Sequence, residues 1–204
     1  MGLKHCFLVV AIAFGVQASA VAGFVEGATA YNARNYALAL KEITPLAKAA
    51  NHDAEQLIGL MYYMGRGVAR DFRQAFAWSR KAAEAGKPDA QYLIGAMYYT
   101  GNAVPLDQRQ AVWWFHKAAE QGHADAQNAL GLMYRYHVAN VPQDLVIAYM
   151  LWNLSAAGGN AKAVAQRASV ARQMTQEQVD EAQVLSRTWK VGTALPTQSK
   201  TGAE

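Results

Sequence analysis

Four histidines, His52, His116, His123 and His137, stand beyond the first segment of the chain, and their ordinary pKa suits metal binding or proton transfer near neutral pH. Their spacing supports neither use. No pair has the HExxH arrangement that puts two ligands and a general base on one helix face, so a metal site would need distant residues folded together. They read instead as solvated or helix-capping groups. Nucleophile and phosphate motifs are missing as well: the sequence holds no GxSxG, no Walker loop and no GxGxxG. Gly65-Arg66-Gly67 reads as a turn, because Arg70 stands where the third glycine would belong. Lys200-Thr201-Gly202 spells a triplet that serves serine acyl transfer on a sheet edge beside an SxxK serine. This chain has no SxxK, predicts no sheet and carries the triplet in its tail, so the match is read as coincidence. Catalytic residues, cofactor-binding residues and metal ligands are therefore all assigned as none.

What the sequence does offer is a surface, and the elements that would carry it are repeats. A shift of 36 residues aligns Ala54-Glu55-Gln56-Leu57-Ile58-Gly59-Leu60-Met61-Tyr62-Tyr63 with Ala90-Gln91-Tyr92-Leu93-Ile94-Gly95-Ala96-Met97-Tyr98-Tyr99, and again with Ala126-Gln127-Asn128-Ala129-Leu130-Gly131-Leu132-Met133-Tyr134-Arg135. Ala75, Trp78, Ala82, Ala83 and Gly86 recur as Ala111, Trp114, Ala118, Ala119 and Gly122, and a fourth copy follows, shifted by one, as Ala148, Leu151, Ser155, Ala156 and Gly159. Periods of this length mean stacked supersecondary units, none of which buries its apolar face alone.

Each unit reads as two helices. Ala54, Ile58, Met61, Tyr62 and Gly65 share one helical face, and Ala75, Trp78, Ala82 and Ala83 make the stripe that meets it. Asp71, Asp107 and Asp144 stand where N-caps belong, and Gly86, Gly122 and Gly159 stand just past helix ends. Two departures from regularity carry expectations. Pro45 inside the opening unit should kink its helix, and the third inter-helix loop, with one extra residue and no glycine at His137, should differ in shape from the first two. After Gly159 the repeat fades, but Ala161–Met174 is helical in pattern with Val164, Ala168 and Ala171 on one side, and Thr175 with Gln178 fits a capping box.

Segments such as AQYLIGAMYYTGNAVPLD and AVWWFHKAAEQGHADAQNALGLMY resemble the Sel-1-like repeat family, a class related to tetratricopeptide repeats, over roughly residues 24–159. The fold expected is all-α: a right-handed α-solenoid of about four to five stacked antiparallel helix pairs. Residues 23–159 form the solenoid, in units of roughly 23–51, 52–87, 88–123 and 124–159. A capping helix pair follows over 160–190, and a disordered tail over 191–204.

The ends and the composition bound where such a chain works. Residues 1–22 read as a cleavable signal peptide, with Lys4 and His5 ahead of an apolar run from Cys6 to Val16 and the small-residue site Ala18-Ser19-Ala20. The expected location is periplasmic or secreted, with no membrane span in the mature form; an uncleaved anchor is the alternative, because Ala20–Phe24 prolongs the apolar stretch. Cys6 is the single cysteine, so no intrachain disulfide and no cysteine-based zinc site can form. The net charge of +4 is spread along the chain without a basic run, which argues against a nucleic-acid partner.

Within the first helices, the positions that differ between copies point away from the inter-helix seam. Gln56, Leu60, Tyr63, Tyr92, Tyr99, Asn128, Arg135 and Tyr136 are the candidates for a concave face that binds a partner protein or peptide. Packing of the tyrosines between neighbouring first helices is the plain alternative. The expected function is that of a non-catalytic exported adaptor, scaffold or regulator, or a secreted host-interaction factor, and the expected state is a monomer. By family analogy, β-lactam binding or hydrolysis, known among cysteine-rich relatives, is one alternative, and structural assembly by end-to-end stacking is another.

Overall fold

The computed structural model describes residues 21–201. The expected signal peptide lies outside them except for its last two residues, as do residues 202–204. Among the described residues the chain is all helical, and it divides into two compact units at Ala85/Gly86.

The first unit contains α1 (residues 21–32), α2 (Tyr36–Lys48), α3 (His52–Met64) and α4 (Phe72–Glu84). Its core is small-residue rich, with Ala39, Ile43, Ala47, Ala54, Ile58 and Met61 buried and Trp78 half-buried at the edge. Pro45 lies in the last turn and a half of α2; it removes one bond to the Lys41 carbonyl, and the helix continues to Lys48.

The second unit contains α5 (Pro88–Thr100), α6 (Gln108–Glu120), α7 (Ala124–Tyr136), a 3-10 turn (Val138–Asn140), α8 (Leu145–Ala157), α9 (Ala161–Ala171) and α10 (Gln176–Thr188). Helix α8 is buried nearly all round, from Val146 to Trp152, because α7 covers one side and α9 and α10 cover others.

The same devices close each helix pair. Asp71, Asp107 and Asp144 each take two backbone amides of the following helix on Oδ1, as the spacing predicts. The amides of these three aspartates in turn donate to the carbonyls of Tyr62, Tyr98 and Tyr134, at 3.0–3.1 Å, so the end of one helix meets the start of the next and the pair runs antiparallel. Mid-helix, Gly59, Gly95 and Gly131 admit Ser79, Phe115 and Trp152 from the facing helix. A Cβ added to these glycines would stand 2.1, 2.8 and 2.7 Å from the partner side chains. The slot is one position of the repeat, filled by three very different volumes.

The third loop departs as expected. Gly65 and Gly101 end α3 and α5 at φ 67° and 73°, and His137 takes the same left-handed cap at φ 54°, its amide donating to Met133 as theirs do to Met61 and Met97. Ala139 is also left-handed, at φ 61°, and the extra residue is absorbed in the 3-10 turn. Two further expectations need correction. In α9 the buried residues are Ala163 and Val170, while Val164 is 48% exposed, so the core face lies one residue round from the one drawn through Val164 and Ala168. Residues 191–201 are no loose tail. Gly192 donates to the Glu120 carbonyl, Leu195 is buried in the core, and the Ser199 amide donates to Asp144 Oδ2 at 2.8 Å. Loop-type composition marks a segment without helical structure; it does not distinguish a free end from a strap anchored by one leucine.

Candidate partner-binding cleft

Helices α5 and α7, the first helices of successive pairs in the second unit, form the walls of a cleft of about 410 Å³. Tyr92, Ala96, Tyr99 and Thr100 come from α5, and Asp125, Asn128, Ala129, Leu132, Met133 and Tyr136 from α7, with Phe115 and Val138 completing it. Both walls follow helical periodicity: 92, 96 and 99 on one side, and 125, 129, 132 and 136 on the other. Two tyrosines are open to solvent, Tyr99 at 44% and Tyr136 at 61%, too much exposure for residues serving only as packing between helices.

The deeper end is held firmly. The Tyr92 ring stacks on His123 at 4.8 Å and lies 5.6 Å from Phe115. His123 caps α7: its Nδ1 accepts from the Ala126 amide, which fixes the neutral ring as the tautomer with hydrogen on Nε2, and that nitrogen faces Asp89 at 3.2 Å. The histidine thus serves as a cap. Asp125 is anchored by Asn160, whose Nδ2 donates to Oδ1 at 2.8 Å. Asn128 keeps its side-chain oxygen buried without a hydrogen-bond partner.

Of the eight candidate residues, Tyr92, Tyr99, Asn128 and Tyr136 converge on this cleft. Arg135 does not. Its guanidinium lies near the Ser169 hydroxyl at 3.4 Å and over the rings of Tyr136 and Trp152. The reason is geometric: Arg135 is the repeat equivalent of Tyr99, and that flank looks onward along the stack, toward α7 from α5 but toward α9 from α7. Asp125 and Ala129 were missed because their repeat equivalents, Asp89 and Leu93, lie outside the lining; stepping back from Tyr136 along α7 at helical spacing, through Leu132, finds them. Gln56, Leu60 and Tyr63 belong to α3 in the first unit, all half-buried, with the Tyr63 ring 5.3 Å from Phe72 at the start of α4. That tyrosine packs within its own helix pair.

No group of three or more potential ligands that would suit a metal ion is found among the described residues. His116 is half-buried beside Tyr134; the loss of solvent around its ring lowers its pKa, against a smaller upward pull from Glu120. The amides of Lys200 and Thr201 and the Thr201 hydroxyl all bind the Glu181 carboxylate, so the part of the Lys-Thr-Gly triplet within the described residues fastens the strap.

Comparison with known proteins agrees with this architecture. The family model described as Sel1 repeat matches residues 52–87, 88–123 and 124–160. No curated protein matches the chain. Among solved structures, a Sel1 repeat protein from Oxalobacter formigenes is 35% identical with a TM-score of 0.66, over 71% of this chain and 58% of that one. A protective antigen with an SLR fold, present in uropathogenic Escherichia coli strains, is 25% identical with a TM-score of 0.62, over 91% of this chain and 50% of that one. The chain therefore spans only about half to three fifths of the length of these two relatives.

Proposed function

We propose, from the premise that this chain belongs to the Sel1 repeat family, that it is a non-catalytic scaffold holding an extended segment of another protein in the cleft between α5 and α7. Repeats of this kind offer stacked helical walls for protein contact. The observation that carries the reading is the convergence of Tyr92, Tyr99 and Tyr136 on one cleft, two of them solvent-exposed. Tyrosine gives a large contact area at low conformational-entropy cost, and side chains of this type dominate binding energy at interfaces. The leader pattern at residues 1–22 supports an exported site of action, in the periplasm or outside the cell, and the chain is read as acting as a monomer.

Crosslinking in an envelope extract tests this. Tyr99→Ala and Tyr136→Ala should each reduce recovery of the bound partner several-fold, while Arg135→Ala, directed at α9, should reduce it much less. Equal recovery with all three variants would remove the cleft from the reading.

A further inference from the structure

The charges around the cleft define what kind of segment fits it, and this inference rests on the binding reading above. Asp125 is the one ionisable acid or base side chain of the lining other than the tyrosines, in a chain whose net charge is +4. Its carboxylate is held in place by Asn160 through Oδ1. Asn128 lines the same wall, its side-chain oxygen covered by the protein. The lining between is apolar: Ala96, Ala129, Leu132 and Met133. At the far end Tyr136, 61% exposed, offers an aromatic face and no acidic group.

We infer that the cleft selects an extended peptide segment with a lysine or arginine at the Asp125 end and apolar side chains following it toward Tyr136. Asp125 and Tyr136 are eleven residues apart on one helix, about 16 Å at 1.5 Å per residue, which an extended chain covers in roughly five residues. The basic side chain pairs with the Asp125 carboxylate, and aliphatic or aromatic groups fill the space between α5 and α7. Burial of the aspartate by the incoming segment strengthens the ion pair beyond that of an exposed one.

The test is selection of a phage-displayed random dodecapeptide library on the full chain, with counter-selection on the Tyr99→Ala variant. Peptides that depend on Tyr99 should carry Lys or Arg within about five residues of an apolar pair. Asp125→Asn should weaken such a peptide on the order of tenfold and flatten its salt dependence, with the circular dichroism melt unchanged in shape. Asp125→Lys should turn the recovered sequences toward Asp and Glu. Tyr99-dependent peptides that are acidic or purely apolar would overturn the charge selection and leave the binding reading standing. If no Tyr99-dependent peptide is recovered, both fall.

Discussion

At the scale of single residues, three aspartates that look alike in sequence do different amounts of work. Asp71 and Asp107 cap a helix with one oxygen and are accessible to water, whereas Asp144 is 2% exposed and divides its oxygens between the start of α8 and the Ser199 amide. It also helps push the Tyr134 phenol up to about 12, second to the effect of burial. Asp107→Ala should cost about 1 kcal/mol, the usual loss of a cap. Asp144→Ala should cost about 3 kcal/mol, because two capping amides and a buried strap amide all lose their acceptor. Urea denaturation of the two variants checks the difference, and equal losses would mean that the strap bond contributes nothing. His137 shows the opposite economy of type: a residue without glycine's freedom occupies a left-handed cap, since the loop needs that conformation whichever side chain stands there.

At the scale of the elements, the repeat was legible because three copies agree in register, and so were the caps, the paired helices and the irregular third loop. The α5–α7 cleft was half legible. Aligning equivalent positions finds the pairs that line it from both walls, Tyr92 with Asn128, Ala96 with Leu132 and Thr100 with Tyr136, but it carries Arg135 in with Tyr99 and passes over Asp125 and Ala129, whose equivalents Asp89 and Leu93 lie outside the lining. The glycine slot is the strongest internal test of helix packing. Gly59→Ala gains about 1 kcal/mol of helix propensity, yet its new methyl would lie 3.0 Å from the Ser79 backbone nitrogen, which cannot swing aside. The net result should be a loss of about 1–3 kcal/mol by overpacking. Ser79→Ala should be neutral or stabilising by up to about 1 kcal/mol, since the Ser79 hydroxyl is buried without a partner. Thermal unfolding of both variants decides it; a harmless Gly59→Ala would show that α3 and α4 have room to part.

At the scale of the whole molecule, each unit must hold together by packing and hydrogen bonds, because the described residues contain no cysteine. The strap over 191–201 is one place where pH acts. Partial burial pushes the Glu181 carboxyl upward, but the Thr201 hydroxyl, the Lys200 and Thr201 amides and the Lys200 charge outweigh it and hold the group below its ordinary value. A depressed folded-state pKa gives stability that is complete above the unfolded value and is lost as pH falls through the folded one. Limited proteolysis of the strap should therefore rise below about pH 4, and Glu181→Gln should show that susceptibility at neutral pH; cleavage independent of pH and of this substitution would dissociate Glu181 from strap docking. Finally, the slot shared by Gly59, Gly95 and Gly131 bears on the gene. Near-identical tandem modules invite unequal crossing-over, yet a recombinant joining α3 to the tryptophan-bearing α8 would drive an indole into a gap shaped for a hydroxymethyl group. Such a product should be less stable than either parent, so the mismatched interiors oppose exchange of one module for another.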